Sequence, residues 1–191
     1  EEISANEKKA ALKYLMFLKK KRDGKIKGRG CADGRPQHLN TNKPKTSAPT
    51  VATESVLLTS VINAMENRDV ATVDIPGAFL HADMEGDDIH MKLEGMLAEM
   101  LARIDPKLYW KYIRDENGKT VMYVQLKKAL YGTIQAGLLF WKNLTASLKE
   151  WGFLVNPYDW CVANKMVNGE QLTVIWHIDD LKISHVNPEV V

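Results

Sequence analysis

Leu172, Val174 and Trp176 alternate with Thr173, Ile175 and His177, and Leu181 and Ile183 resume the same period after Asp179-Asp180. A period of two marks a half-buried strand, so this stretch predicts two strands joined by a tight acidic connection. A second strand pattern runs through Val70-Ala71-Thr72-Val73-Asp74, with Val70, Thr72 and Asp74 on one face and Ala71 and Val73 on the other. Pro76-Gly77 ends it, because proline lacks a ladder donor and glycine frees the backbone. Asp74 is thereby predicted at a strand end.

Helical spacing appears elsewhere. Leu57, Leu58, Val61, Ile62 and Met65 predict a helix over 56–67 that packs on the sheet as core. Leu138, Trp141, Leu144, Leu148 and Trp151 predict a long helix over 135–151, capped by Gly152, with its tryptophans in the core. Met96 to Ile104 reads as a helix stopped by Asp105-Pro106. Ala10 to Leu18 reads as an amphipathic helix, opened by the capping box of Ser4-Ala5-Asn6-Glu7 and followed by Lys19-Lys20-Lys21-Arg22. Short strands are expected at 89–93 and, after the turn Asp115-Glu116-Asn117-Gly118, along Met122, Val124 and Leu126. Val167-Asn168-Gly169-Glu170 predicts a hairpin turn between a strand over 160–166 and the strand leading to Asp179. Gly24, Gly28, Gly30 and Gly34 keep their segment as a loop or a twisted hairpin.

Composition narrows the class without naming it. The chain has 191 residues, 45% hydrophobic and 26% charged, enough for one core and long enough for two lobes. No apolar run approaches a membrane span, and Lys13 interrupts the N-terminal candidate, which excludes a signal-peptide reading. Cys31 and Cys161 lie far apart with no spaced histidine set, which argues against a disulfide framework and structural zinc and for a reducing, intracellular setting. The net charge of +2 is unevenly placed: residues 1–46 carry 13 Lys or Arg against 5 Asp or Glu, a net of +8, leaving −6 for the remainder. Such polarity suits a lobe that grips phosphates beside a lobe that holds metal-binding acids. The Lys19–Arg22 run itself reads as a solvated face.

Asp179 and Asp180 are adjacent like charges, which repel unless a cation sits between them; the bland alternative is a solvated Asp-Asp turn. If the Asp74 strand lay beside that hairpin, three carboxylates would converge on one sheet edge. Two divalent ions about 4 Å apart need such a set for in-line phosphoryl transfer.

These residues carry a resemblance. Asp74 to Phe79 resembles motif A of reverse transcriptases, Leu130-Tyr131-Gly132-Thr133-Ile134-Gln135-Ala136 resembles motif B in its copia-type form, and His177-Ile178-Asp179-Asp180 resembles motif C. Their order and spacing match, and Ser47-Ala48-Pro49-Thr50-Val51-Ala52, Ile89-His90-Met91-Lys92-Leu93-Glu94-Gly95 and Val124-Gln125-Leu126-Lys127-Lys128-Ala129 resemble the connecting text of copia-type LTR-retrotransposon (Pseudoviridae-like) polymerases. The resemblance spans roughly Lys25 to Ser184.

What the resemblance implies is an α+β polymerase right hand: an antiparallel palm sheet backed by helices, with fingers over 1–55 and 82–135, palm over 56–81 and 136–191, and the thumb absent. It implies an RNA-directed DNA polymerase, a nucleotidyltransferase joining dNTPs to a primer 3′-hydroxyl. Asp74, Asp179, Asp180 and the Ile75 carbonyl would hold two Mg²⁺ ions, for which Mn²⁺ could substitute. Phe79 matches the steric gate against a ribose hydroxyl, with simple core packing as the lesser alternative. Tyr131 and Gly132 match a position near the nascent base pair, and Lys25, Lys27 and Arg29 the basic fingers segment that meets template or triphosphate. RNA template, DNA primer, dNTPs and the remaining polyprotein (thumb, ribonuclease H, integrase) are the expected partners, with no membrane, in a cytoplasmic particle or the nucleus.

Three positions depart from the family pattern. Ile134 stands where lysine is usual, Gly137 where proline is usual, and His177 where motif C begins with tyrosine. None removes a metal ligand. They leave open a decayed or repurposed copy that binds nucleic acid without catalysis, while a metal hydrolase on the same carboxylates has no supporting base.

Overall fold

The computed structural model describes residues 3–39, 46–86 and 88–191. In chain order the elements are α1 (Ala5–Ala10), β1 (Leu12–Lys20), β2 (Ile26–Ala32), α2 (Thr53–Met65), β3 (Asp69–Asp74), β4 (His90–Glu94), α3 (Met96–Ile104), α4 (Pro106–Tyr109), β5 (Arg114–Glu116), β6 (Lys119–Gln125), α5 (Ala136–Glu150), β7 (Leu154–Val155), β8 (Val162–Val167), β9 (Glu170–His177) and β10 (Asp180–His185). They form two mixed α/β units, each assembled from two chain segments: 1–45 with 83–136, and 46–82 with 137–191.

The first unit carries a sheet in the order β2-β1-β4-β6-β5. Its pairs are antiparallel except β1 with β4, which run parallel. One sheet face buries Met91, Leu93 and Met122, with Leu12 and Ala32 beside them, against Ala98 of α3. Alanine at 98 and at the equally buried 102 lets that helix approach closely. Asn117 (φ +55) and Gly118 (φ +74) make the β5–β6 turn, the pair of left-handed residues that a two-residue hairpin of type I′ requires.

The capping box forms as expected: the Ser4 hydroxyl accepts from the Glu7 N–H at 3.2 Å, and the Glu7 carboxylate accepts from the Ser4 N–H at 2.7 Å. The helix it opens ends at Ala10, and the stretch expected to continue it is β1 instead. The reason is tertiary. β2 offers a partner from Tyr14 opposite Ala32 to Lys20 opposite Ile26, and β4 pairs with Leu12 and Lys13. The glycines make that pairing fit, since a Cβ on Gly30 would collide with the Tyr14 ring and hydroxyl. Gly24, at φ +83, closes the hairpin.

The second unit carries an antiparallel sheet in the order β3-β10-β9-β8-β7. Its core joins Phe140, Leu144 and Leu148 of α5 to Val174, Trp176, Leu181 and Cys161. β9 is central and buried on both faces from Thr173 to Trp176, which masks the expected alternation. The buried stripe of α5 includes Leu139 and Phe140, while Trp151 is exposed rather than core; β8 begins at Val162, leaving Trp160 exposed as well. Gly152, at φ +83, ends the helix. Asn168 and Gly169, both with positive φ, form the β8–β9 turn.

α2 corrects another expectation. Leu57, Leu58, Val61 and Met65 are each more than half exposed, and Asn63 is its buried side chain. Toward β10 it presents hydroxyls: the Lys182 ammonium donates to the Ser60 hydroxyl at 3.0 Å and reaches Thr59 Oγ1 at 3.5 Å. The helix therefore turns hydroxyls, not leucines, toward the strand. Asp159 anchors its start, accepting from the Ala52 N–H at 3.0 Å and the Cys161 N–H at 2.9 Å.

Candidate active site

β3 is the edge strand beside β10, and their register puts Asp74 directly opposite Asp180. Directly opposite residues share a sheet face, so two carboxylates sit side by side where the pair of strands ends. β9 returns on the other side of β10, with His177 opposite Asp180. Between β9 and β10 only Ile178 and Asp179 intervene, so the turn falls one residue earlier than the expected Asp179-Asp180 connection, and Asp180 already pairs as the first residue of β10.

That connection is strained. Ile178 has φ +58, a left-handed value that a β-branched side chain rarely adopts. It is the only one of the two turn residues with positive φ, the pattern of a type II′ hairpin turn, in which glycine normally takes the first central place. The Asp179 carbonyl accepts from the Ile75 N–H at 3.4 Å, so the turn is tied to the residue just after β3. The Ile75 carbonyl accepts from the Ala78 N–H at 3.1 Å, which leaves its second lone pair available.

Asp74 and Asp180 are exposed, and among the described residues neither carboxylate makes a hydrogen bond or an ion pair. Like charges directly across a ladder cost about 0.2–1 kcal/mol. Among the described residues no ammonium or guanidinium pairs with either carboxylate. Lys182 shares the Asp180 face, but its ammonium is directed to Ser60 and Thr59, and burial pulls its pKa below the usual lysine value. Beside the carboxylates lies a cleft of about 410 Å³, lined by Asp74, His177, Asp180, Lys182, Val51 and Val56.

The donor set is hard oxygen and uncompensated negative charge, which fits a divalent ion such as Mg²⁺. As the side chains stand, no group of three or more His, Cys, Asp and Glu among the described residues is placed to hold a metal. The fit is therefore one of backbone register and donor chemistry.

Phe79 follows in the short 3-10 helix Ala78–His81, half-buried, its ring edge-on to Phe140 with centroids 6.0 Å apart. It packs on the core of the second unit, as the simpler reading of this aromatic expects.

A separate group gathers in the first unit. The Arg29 guanidinium lies 5.8 Å from the centre of the Tyr131 ring. The Ala32 N–H donates to the Tyr131 carbonyl at 2.7 Å, joining the end of β2 to motif B. Gly132, at φ +92, presses so closely on Ala32 that a Cβ would collide with the Ala32 carbonyl oxygen, and a Cβ on Gly34 would collide with the Gly132 carbonyl oxygen. The Gln37 carboxamide oxygen accepts from the Ile134 N–H at 3.2 Å, holding the same loop. Lys27 is exposed opposite Lys19, and Lys25 is exposed at the hairpin turn, 3.9 Å from Asp23. Asp74, Ile75, Asp179 and Asp180 are thus brought together in one unit, and Arg29, Tyr131 and Gly132 in the other.

The sequence reading missed Lys182, Gly34 and Gln37. Lys182 could have been found from alternation, because it lies two residues beyond Asp180 on one strand face. Gly34 carried only a turn signal, and Gln37 carried none.

The reverse transcriptase (RNA-dependent DNA polymerase) family matches residues 2–191. Among curated proteins, the chain is 27% identical over 174 residues to the Transposon Ty1-H Gag-Pol polyprotein of Saccharomyces cerevisiae, covering 91% of this chain and 8% of that protein. It is 27% identical over 180 residues to the Transposon Ty1-DR4 Gag-Pol polyprotein of the same yeast, covering 94% of this chain and 10% of that protein. The chain therefore spans a tenth or less of the length of these relatives. No solved structure matches it. With the family matched along nearly the whole chain and retrotransposon polyproteins as its relatives, this chain belongs to the reverse transcriptase (RNA-dependent DNA polymerase) family, in its copia-type LTR-retrotransposon branch.

Proposed function

We propose that the chain is the fingers and palm of an RNA-directed DNA polymerase, adding deoxynucleotides to a primer 3′-hydroxyl on an RNA template. The unit of 46–82 and 137–191 is read as palm, and the unit of 1–45 and 83–136 as fingers. The observation that carries the reading is the placement of Asp74 opposite Asp180, with Asp179 in the turn between β9 and β10.

Asp74, Asp179, Asp180 and the free lone pair of the Ile75 carbonyl would hold two Mg²⁺ ions, which when bound lower the pKa of the 3′-hydroxyl and neutralise the triphosphate. The chain's own contribution is positional. The β3–β10 register fixes two carboxylates at adjacent sites, and the Ile75 to Asp179 hydrogen bond fixes the turn that carries the third. Phe79, packed edge-on against Phe140, would supply the ring that excludes a ribose hydroxyl. Arg29, stacked on Tyr131, offers a guanidinium that matches phosphate geometry.

Primer extension on an RNA template with Mg²⁺, with the chain in its polyprotein context, tests the reading. Asp179→Asn should lower template-dependent incorporation by about 100-fold or more, the scale of losing a charge-stabilising group at a reacting centre. Equal extension by wild type and variant would refute the assignment. Ile134 and Gly137 favour a second reading, a copy that binds nucleic acid without extending it; wild-type protein that binds primer-template and adds nothing would establish that one.

A further inference from the structure

The two faces of the first unit's sheet are unlike. Met91, Leu93 and Met122 face the core, while His90 opposite Gln125 and Lys92 opposite Tyr123 form a polar face. On that polar side lies an open cleft of about 1050 Å³, bounded by α1, by the Lys111–Arg114 segment and by the strands carrying His90, Tyr123 and Gln125. Ligand pockets for small molecules are mostly apolar. This one is lined by charged and polar side chains and is larger than most.

The charges in it are not equivalent. Its two carboxylates already have partners: Glu7 accepts from the Ser4 N–H, and Asp88 accepts from the Gln125 carboxamide. Its cations do not. Lys8, Lys111 and Arg114 make no ion pair among the described residues. Lys8 and Lys111 rest instead on tyrosine rings, 5.7 Å from the Tyr123 centroid and 4.9 Å from that of Tyr112. One Arg114 nitrogen is fixed by the carbonyls of Lys111 and Ile113, which aims the guanidinium without neutralising it. Tyr112 itself is 44% exposed.

We infer that this cleft is a binding site for single-stranded nucleic acid, separate from the carboxylate site and from the Lys25–Arg29 hairpin, with phosphates at Lys8, Lys111 and Arg114 and a base against Tyr112. Fixed cations along an open groove with an accessible aromatic ring are what a sequence-tolerant single-strand site consists of. The inference rests on the polymerase reading only for the choice of nucleic acid over another polyanion.

Two measurements on the chain as it stands test it. A labelled oligouridylate carrying 4-thiouridine, irradiated on the wild-type protein and mapped by mass spectrometry, should give an adduct at Tyr112; adducts confined to 13–29 would overturn the site. In a fluorescence-anisotropy salt titration, the Lys8→Gln/Lys111→Gln/Arg114→Gln variant should flatten the log K against log salt slope by about 2, from roughly 0.7 per single-strand phosphate. Tyr112→Ala should weaken oligouridylate about tenfold while leaving heparin unchanged. An unchanged slope in a triple variant that keeps the wild-type fold, or equal weakening of both ligands by Tyr112→Ala, would refute the site, and the wild-type adduct map tests it without any variant. Asp179→Asn leaves this binding intact, so lost extension with a retained Tyr112 adduct, and the reverse, separate the two readings.

Discussion

Ile178 is the residue at which backbone and chemistry meet. Its left-handed φ of +58 costs on the order of 1–3 kcal/mol in a β-branched residue, and it is 43% exposed, so little burial offsets that cost. Glycine takes the first central place of a type II′ turn without a Cβ penalty, at a smaller cost in unfolded-state entropy. Ile178→Gly should therefore raise the free energy of unfolding by about 0.5–1 kcal/mol, read from denaturant titration; a loss of stability would mean the turn is not strained. Gly132 presents the opposite case. It combines φ +92 with the Ala32 carbonyl where a Cβ would stand. Gly132→Ala should destabilise its unit by roughly 2–4 kcal/mol, and a neutral result would show that the β2 end and motif B separate easily. Asp74, Asp179 and Asp180 were legible in the sequence because each interrupts an apolar strand pattern. Gly34 and Gln37 were not, because each acts on motif B residues about a hundred positions away.

At the scale of elements, β4, β5 and β6 are tied by a small charge network. The Lys92 ammonium lies 3.0 Å from Glu94 and 2.9 Å from Glu116, whose carboxylate also accepts from the Tyr123 hydroxyl. Hydrogen bonding to Lys92 holds Glu94 and Glu116 below their usual 4.5, and bonding to Glu116 and then Glu94 raises Lys92 above its usual 10.5. A depressed carboxylate contributes stability above its unfolded pKa and loses it as pH falls through the folded one; a raised lysine contributes below its unfolded pKa and loses it as pH rises through the folded one. Lys92→Met should then lower stability most between about pH 5 and pH 10, and the gap from wild type should narrow on either side. Denaturant titrations at pH 3 and pH 7 check this, and a gap that widens in acid would contradict it. The element most misread from sequence is β1. Helix and strand patterns compete along 10–18, and the glycine-relieved partner β2 decides between them.

For the whole molecule, charge follows the division into units. The unit of 1–45 and 83–136 has 21 Lys or Arg against 14 Asp or Glu, a net of +7, and the other has 5 against 10, a net of −5. Basic groups thus concentrate in the unit with Arg29 and the inferred single-strand cleft, and acids in the one with the three aspartates. Each unit also carries one free cysteine. Burial, and secondarily Asp159, pushes the Cys161 thiol up to about 12, whereas Cys31 is only half-buried. Thiol labelling at pH 8 should modify Cys31 in the native protein and Cys161 only as its unit unfolds, so equal native rates would mean that the second core opens freely. Among the described residues, no helix is long and apolar enough to cross a membrane.

The sequence by itself determined the strand end at Asp74, a tight connection that includes Asp179, the turns at Asn117-Gly118 and Asn168-Gly169, and the order of the three motifs, because local period and turn chemistry are written in neighbouring residues. Tertiary structure alone decided that Asp74 faces Asp180, that 12–20 is strand, that α2 turns its hydroxyls toward Lys182, and that Lys8, Lys111 and Tyr112 share one cleft. Those outcomes depend on partners far away in the chain, whose packing and hydrogen bonding outweigh propensities worth less than about 1 kcal/mol per residue.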